Sequence, residues 1–315
     1  MQNYTKGKAN LEVFSETIMS LAEKDKDILV VTGDSRGSAK LVSFAEKYPQ
    51  QMVEIGIAEQ NLVGVAAGLA AYGKKVFAVS PACFLTARAL EQIKNDVSYS
   101  DYPVKLVGIS AGVSYGALGS THHSLHDFAV LQAIDNLDIV VPADNFETKA
   151  ALEAAVNYPR PLYLRFGKKP MVHLHQSEPK FQIGKALLLR EGKDIGFLAI
   201  GETVAPAMFA AEQLEEEGIY ASVVSVHTLK PLDTETILHV ARQSKGIITV
   251  EEHSVYGGLG STVATLLMQE KVFVPLRIVG MIHEFQVSGS QEEIFAHYGI
   301  TPAGLAEKAK ELLSA

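Results

Sequence analysis

Two α/β domains, each a three-layer stack of helices on a mostly parallel sheet, are predicted by three features of this chain. Short apolar runs alternate with helix-patterned segments from one end to the other. The length, 315 residues, is enough for two such units. Between them lies KKPMVHLHQSEPKF (168–181), where two prolines, mixed charge and two histidines break the pattern and read as a linker. The predicted division is 1–170 and 183–315, joined by 171–182.

In the first unit the strand candidates are 27–34, 52–57, 75–80, 104–110, 137–144 and 161–167, all rich in Val, Ile and Leu. Helices fit between them at 10–24, which is amphipathic, and at 59–72, which is small and apolar. A third is predicted over 81–100, with Pro at its permitted first position, and a fourth over 145–158 behind an Asp/Asn cap. The second unit repeats the alternation, with strands at 194–201, 221–229, 246–252 and 275–281. Its helices are predicted at 203–217, 233–243, 257–269 and 302–313.

Composition narrows the function classes. Hydrophobic residues make up 47% and charged residues 20%, an ordinary globular balance. The net charge of −8, without a dense Lys/Arg block, argues against nucleic acid and against an anionic membrane surface. One cysteine, Cys83, excludes an intramolecular disulfide and suits a reducing cytoplasm. The polar start MQNYTKGKANLEVF lacks an apolar signal core, and no run reaches the roughly 18 apolar residues of a membrane span. The expectation is a cytoplasmic protein.

Three loops at the C-terminal ends of predicted first-unit strands carry the polar content, which is where open α/β sheets bind ligands. TGDSRGSAK supplies Asp34, Arg36 and Ser38 with two glycines. GIAEQN places Glu59 where a buried strand turns into an Ala/Gly-rich helix. Burial there favours holding or sharing a proton, while the helix N-terminus favours the anion. SAGVSYGALGSTHHSLHD (110–127) carries His122, His123 and His126. Their spacing permits a metal reading, but no Glu sits in the metalloprotease position, and neutral histidines contacting substrate or cofactor fit better. His173 and His175 read as solvated linker residues. Glu251, Glu252 and His253 read as residues that orient loops, and VYGGLGS (255–261) as a weak phosphate-cradle pattern. No P-loop motif occurs.

In the order GDSRGS, GIAEQN, CFLTARALEQ, GSTHHSLHD, VVPAD and YLRFG, these segments resemble the pyrimidine-binding domain of a thiamine diphosphate enzyme, followed by the C-terminal domain of the same family. The match is to transketolase, and also to 1-deoxyxylulose-5-phosphate synthase and the β-subunits of 2-oxo acid dehydrogenases. It covers nearly the whole chain, and GIAEQN followed by VGVAAGLA marks the transketolase and synthase branch. Complete transketolases begin with a domain whose GDG…N motif holds Mg²⁺ and the diphosphate; here GD at 33–34 continues as SRG. The resemblance therefore implies the C-terminal subunit of a split transketolase, inert alone. An N-terminal subunit would supply the diphosphate and metal site, with two copies of each chain in an α2β2 assembly.

The same resemblance implies residue roles. Glu59 would bond N1′ of the cofactor's aminopyrimidine and share a proton with it, so that the ring's own amino nitrogen can act as the base. Phe84 would stack on that ring, and Asp34 would stand beside the thiazolium ring. His122 would bond the substrate carbonyl or hydroxyl. Arg165 and Ser38 would hold a substrate phosphate, and Arg88 matches a second anion-binding arginine of the synthase branch. No metal ligand is expected in this chain. Departures from the family pattern accompany these matches. Leu11 and Glu12 stand where a phosphate-gripping arginine is usual, Ser110 replaces a His, and Leu118 replaces an Asp that bonds substrate hydroxyls. These losses point to a specialised branched, deoxy or sulfonated ketose rather than ordinary pentose-pathway sugars. The rivals are a deoxyxylulose-type synthase, a 2-oxo acid dehydrogenase β-subunit, disfavoured by the lack of a TPISE-like segment, and a noncatalytic scaffold, disfavoured by Glu59, Phe84 and His122 together.

Overall fold

The computed structural model describes residues 4–285 and 287–314. Among these residues the larger of two main sheets has seven strands. Six run parallel in the order Met52–Glu54, Ile28–Thr32, Lys75–Pro81, Lys105–Ile109, Leu162–Arg165, Asp138–Val140. The seventh, Thr228–Lys230, comes from the second half of the chain and pairs antiparallel with Asp138–Val140. The second sheet orders Leu276–Met281, Gly246–Ser254, Ile195–Ala199 and Ala221–Ser225 in parallel, with Leu187–Arg190 antiparallel at its edge. Ile28–Thr32, Lys105–Ile109 and Ile195–Ala199 are buried at every position, because helices cover both faces. Their sequences are accordingly mostly apolar rather than alternating, with only Thr32 and Lys105 polar at strand ends.

Strand order fixes where a site can form. From Ile28–Thr32 the chain moves outward to Met52–Glu54, whereas from Lys75–Pro81 it moves the other way to Lys105–Ile109. The crevice between these two neighbouring strands is the switch point of the sheet. GDSRGS leaves one strand and the helix containing Phe84 leaves the other.

Most predicted elements recur with shifts of one to three residues, and the helix Asn10–Lys24 has the predicted bounds. Three expectations need correction, and the predicted linker is held in place at its start. The helix predicted over 81–100 is broken: Ala82–Arg88 ends at Ala89, whose φ of −103° leaves the helical range, and Ile93–Tyr99 is wound as a wider π-helix. The strand predicted over 221–229 ends at Ser225, since the chain there crosses from one sheet to the other. The segment after 168 is tied down, with Pro170–Val172 pairing antiparallel with Lys6–Ala9. Nor are its histidines solvated: His175 Nε2 lies 3.0 Å from the buried Glu147 carboxylate, and His173 bridges Thr5 and Asn145. Short helices at Val42–Lys47, Asp127–Gln132 and Gln291–His297 were not anticipated.

Candidate active site

The loop after Ile28–Thr32, on one side of the crevice, touches the loop after its outer neighbour Met52–Glu54 through glycines. A Cβ on Gly33 would lie 2.8 Å from the carbonyl oxygen of Gly56, and Gly56 itself has a φ of +83°, so both loops need the missing side chain. That close approach brings the Asp34 loop against the segment leading into Glu59. Glu59 opens the helix Glu59–Ala71 and is only 8% exposed. Its carboxylate is met by Arg88, the last residue of Ala82–Arg88, whose Nη1 donates to both oxygens at 3.1 Å. Phe84, one turn earlier on that helix, lies under the same guanidinium at 4.6 Å from its ring centre. The result is a carboxylate and an aromatic ring holding one flat, N–H-bearing cation between them.

His122 joins this group from the third loop. Its ring stands edge-on to Phe84 and to Tyr115, each with centroids 5.3 Å apart, and its Nδ1 is 2.9 Å from Thr121 Oγ1. The loop is closed at its base, where Ser124 N–H donates to Gly112 O at 2.7 Å. Ser110 begins it at φ +50° and is buried, at the position where the resemblance leads one to expect a His. The three histidines do not converge. His123 Nε2 meets Gly116 O, while His126 Nε2 meets Thr86 Oγ1. Among the described residues no group of three or more His, Cys, Asp or Glu side chains is arranged to hold a metal ion. A cavity of about 440 Å³ opens beside the group, lined in part by Phe84, Arg88, Thr121, His126, Tyr256 and His283.

Glu59, Phe84, Arg88 and His122 are therefore brought together, and Asp34 and Ser38 stand exposed on the adjoining loop. Ser38 Oγ donates to Ser35 O at 3.0 Å. Arg165 departs from its expected role on a substrate phosphate. Its guanidinium is buried, donating from Nε to Asp127 at 2.7 Å and from Nη2 to the carbonyls of Ser124 and Glu252. Such an arginine pins the base of the His122 loop. The glycine run 255–261 is likewise committed: Leu259 and Gly260 N–H donate to the buried Glu251 carboxylate at 2.7 and 2.9 Å, which takes the place of a phosphate. Leu11 is core and Glu12 caps its own helix through Ala9 N–H, so neither serves the crevice. Tyr115 was missed by sequence reasoning. Nothing in one dimension marks it, because its contact with His122 depends on the loop doubling back.

Comparison with known proteins places the two units in one family. The family model for the transketolase pyrimidine-binding domain matches residues 6–171, and that for the transketolase C-terminal domain matches residues 184–305. One subunit of the apulose-4-phosphate transketolase of Phocaeicola vulgatus is 47% identical over 301 residues, 95% of this chain and 96% of that protein. The 1-deoxy-D-xylulose-5-phosphate synthase of Desulfotalea psychrophila is 36% identical over 96% of this chain, which spans 47% of that enzyme. A solved structure described as a split gene transketolase, inactive β4 tetramer, superposes with a TM-score of 0.90 at 34% identity, covering 98% of this chain and 99% of that one.

Proposed function

The chain belongs to the transketolase family, and we propose that it is the C-terminal subunit of a split, cytoplasmic enzyme. That enzyme transfers a two-carbon ketol unit from a ketose to an aldose. The observation that carries the proposal is the pocket formed by Glu59 and Phe84. It already accepts a planar nitrogen group, the Arg88 guanidinium, which lies over the ring at 4.6 Å from its centre and is bonded through Nη1 to both carboxylate oxygens. An aminopyrimidine offers the same flat face and the same kind of N–H, so the residues present fit the family's thiamine diphosphate. When bound, that cofactor supplies the carbon nucleophile. Glu59 then holds the proton at the pyrimidine ring, Phe84 fixes the ring's plane, and His122 bonds the oxygen of the ketose carbonyl. Asp34 faces the thiazolium side, while Ser38 and Arg88 take the substrate phosphate once Arg88 leaves Glu59. The Mg²⁺ and diphosphate ligands come from an N-terminal partner subunit, in an α2β2 assembly built on a dimer of this chain.

Apulose 4-phosphate, the sugar for which the Phocaeicola vulgatus relative is named, is the donor we favour. It is a specialised ketose phosphate, in keeping with Leu118 and Ser110 at positions where family members present polar substrate contacts. The test is ketol transfer by this chain mixed with its N-terminal-half partner, thiamine diphosphate and Mg²⁺, against each chain alone. Transfer that needs both chains supports the proposal. Pyruvate-dependent release of CO₂ without ketol transfer would replace it with the synthase reaction.

A further inference from the structure

The second half of the chain reaches the His122 loop at several points, and at its entry it does so with a buried carboxylate. Glu252, in the strand Gly246–Ser254, accepts a hydrogen bond from Val113 N–H at 3.0 Å and another from Gln291 Nε2 at 2.7 Å, both on Oε1. The second proton of that same amide nitrogen is used by Glu202 Oε2, also at 2.7 Å. Gly112 is shaped around this carboxylate: at φ +60°, a Cβ there would overlap Glu252 Cδ. A little further along, a Cβ on Gly116 would lie 2.7 Å from Gly289 O, and one on Gly119 2.9 Å from Ser288 Oγ. The loop thus rests on the 288–291 segment and is bonded at its entry by Glu252. Its exit is held by Arg165, whose Nη2 donates to Ser124 O and to Glu252 O.

We propose that Glu252 is a positioning residue that, with Gln291, holds the loop 110–124 so that His122 stays edge-on to Phe84. This rests on the role proposed above for His122, and it gives the second unit a task in the reaction beyond assembly. The physical case is that a buried carboxylate is costly unless compensated, and here its hydrogen bonds go to one backbone amide and one side chain from distant parts of the chain, with the buried Arg165 guanidinium 3.8 Å from its other oxygen. Val113 N–H is buried as well, so removing its acceptor leaves an unsatisfied donor inside the loop's hinge. A displacement of about 1 Å at a reacting group costs on the order of 10²-fold in rate.

The experiment compares wild type, Glu252→Ala, Gln291→Ala and Glu252→Gln by hydrogen exchange of the 110–124 segment, and by kinetics of the assembled two-chain enzyme. We expect both alanine variants to exchange roughly tenfold or more faster in that segment. Their kcat should fall about 10- to 100-fold with KM changed less than threefold, while Glu252→Gln keeps the acceptor oxygen and restores both. In a His122→Ala background, Glu252→Ala should cost almost nothing more, because the residue it positions is gone. Unchanged exchange in both alanine variants overturns the proposal, and so does a full additive loss in the His122→Ala background. Exchange needs no substrate, so failure of the transketolase reading shows separately, as an inactive wild-type pair.

Discussion

Arg88 Nη1 lies 3.1 Å from each oxygen of Glu59 while its guanidinium covers the face of Phe84. The pair is lopsided: the Glu59 side chain is 10% exposed and that of Arg88 52%. An ion pair so open on one side contributes little to stability. On the roles proposed for Glu59 and Phe84 its meaning is competitive, because the cofactor's aminopyrimidine would need the same oxygens and the same ring face. Arg88→Ala should therefore lower the Kd for thiamine diphosphate a few-fold in the assembled enzyme, by isothermal calorimetry. It should also raise the KM of a phosphorylated donor. A weaker cofactor affinity in the variant would show that Arg88 supports the cofactor instead of yielding to it.

Glu59→Gln keeps the shape of the side chain and one acceptor for Arg88 but removes the exchangeable carboxyl proton. Proton work of this kind is worth about 10²- to 10⁴-fold. We expect ketol transfer to fall by that range with the melting temperature within a few degrees of wild type, checked by circular dichroism. Wild-type turnover in the variant would remove Glu59 from the chemistry.

How far the sequence revealed this arrangement depends on whether the signal is local. Glu59, Phe84 and His122 sit in short runs beside strand ends, and alternating apolar blocks already located those ends. What the sequence hid are relationships across long separations. Arg165 carries the family's motif yet is buried against Asp127, because the packing of Asp127–Gln132 decides where a guanidinium points. Thr228–Lys230 reads as the tail of a second-unit strand, and only the sheet crossing assigns it to the first. Glu252 reads as a loop-orienting acid, but the loop it orients lies 139 residues away.

Glu252 also predicts a pH dependence. Burial, with the neighbouring Glu202 carboxylate adding to it, pushes Glu252 up to about 8 from its ordinary 4.5, and burial pushes Glu251 up to about 7. The folded protein then keeps protons that the unfolded chain releases above pH 4.5. Their contribution to stability is complete below that pH and is lost as pH rises through 7 to 8. Glu252→Gln cannot ionise, so its melting temperature should gain on wild type steadily between pH 5 and pH 8. Scanning calorimetry at both pH values checks this, and a difference that stays constant with pH contradicts it.

Leu118 offers the test of selectivity. It is 56% exposed at the end of the turn Gly116–Leu118, four residues before His122, where the resemblance leads one to expect an Asp that bonds substrate hydroxyls. A leucine there can neither accept from a hydroxyl nor repel a substrate that lacks one, so it disfavours sugars that rely on that bond. Leu118→Asp should raise kcat/KM for xylulose 5-phosphate relative to apulose 4-phosphate. A hydrogen bond to a charged group contributes about 1.5–3 kcal/mol, or roughly 10- to 100-fold, and the exposure of this site places the change near the lower end. Steady-state kinetics of the two donors with one acceptor measures the ratio. If it does not move, the preference is set by the Ser110 side of the loop or by the partner subunit, and the leucine is incidental to it.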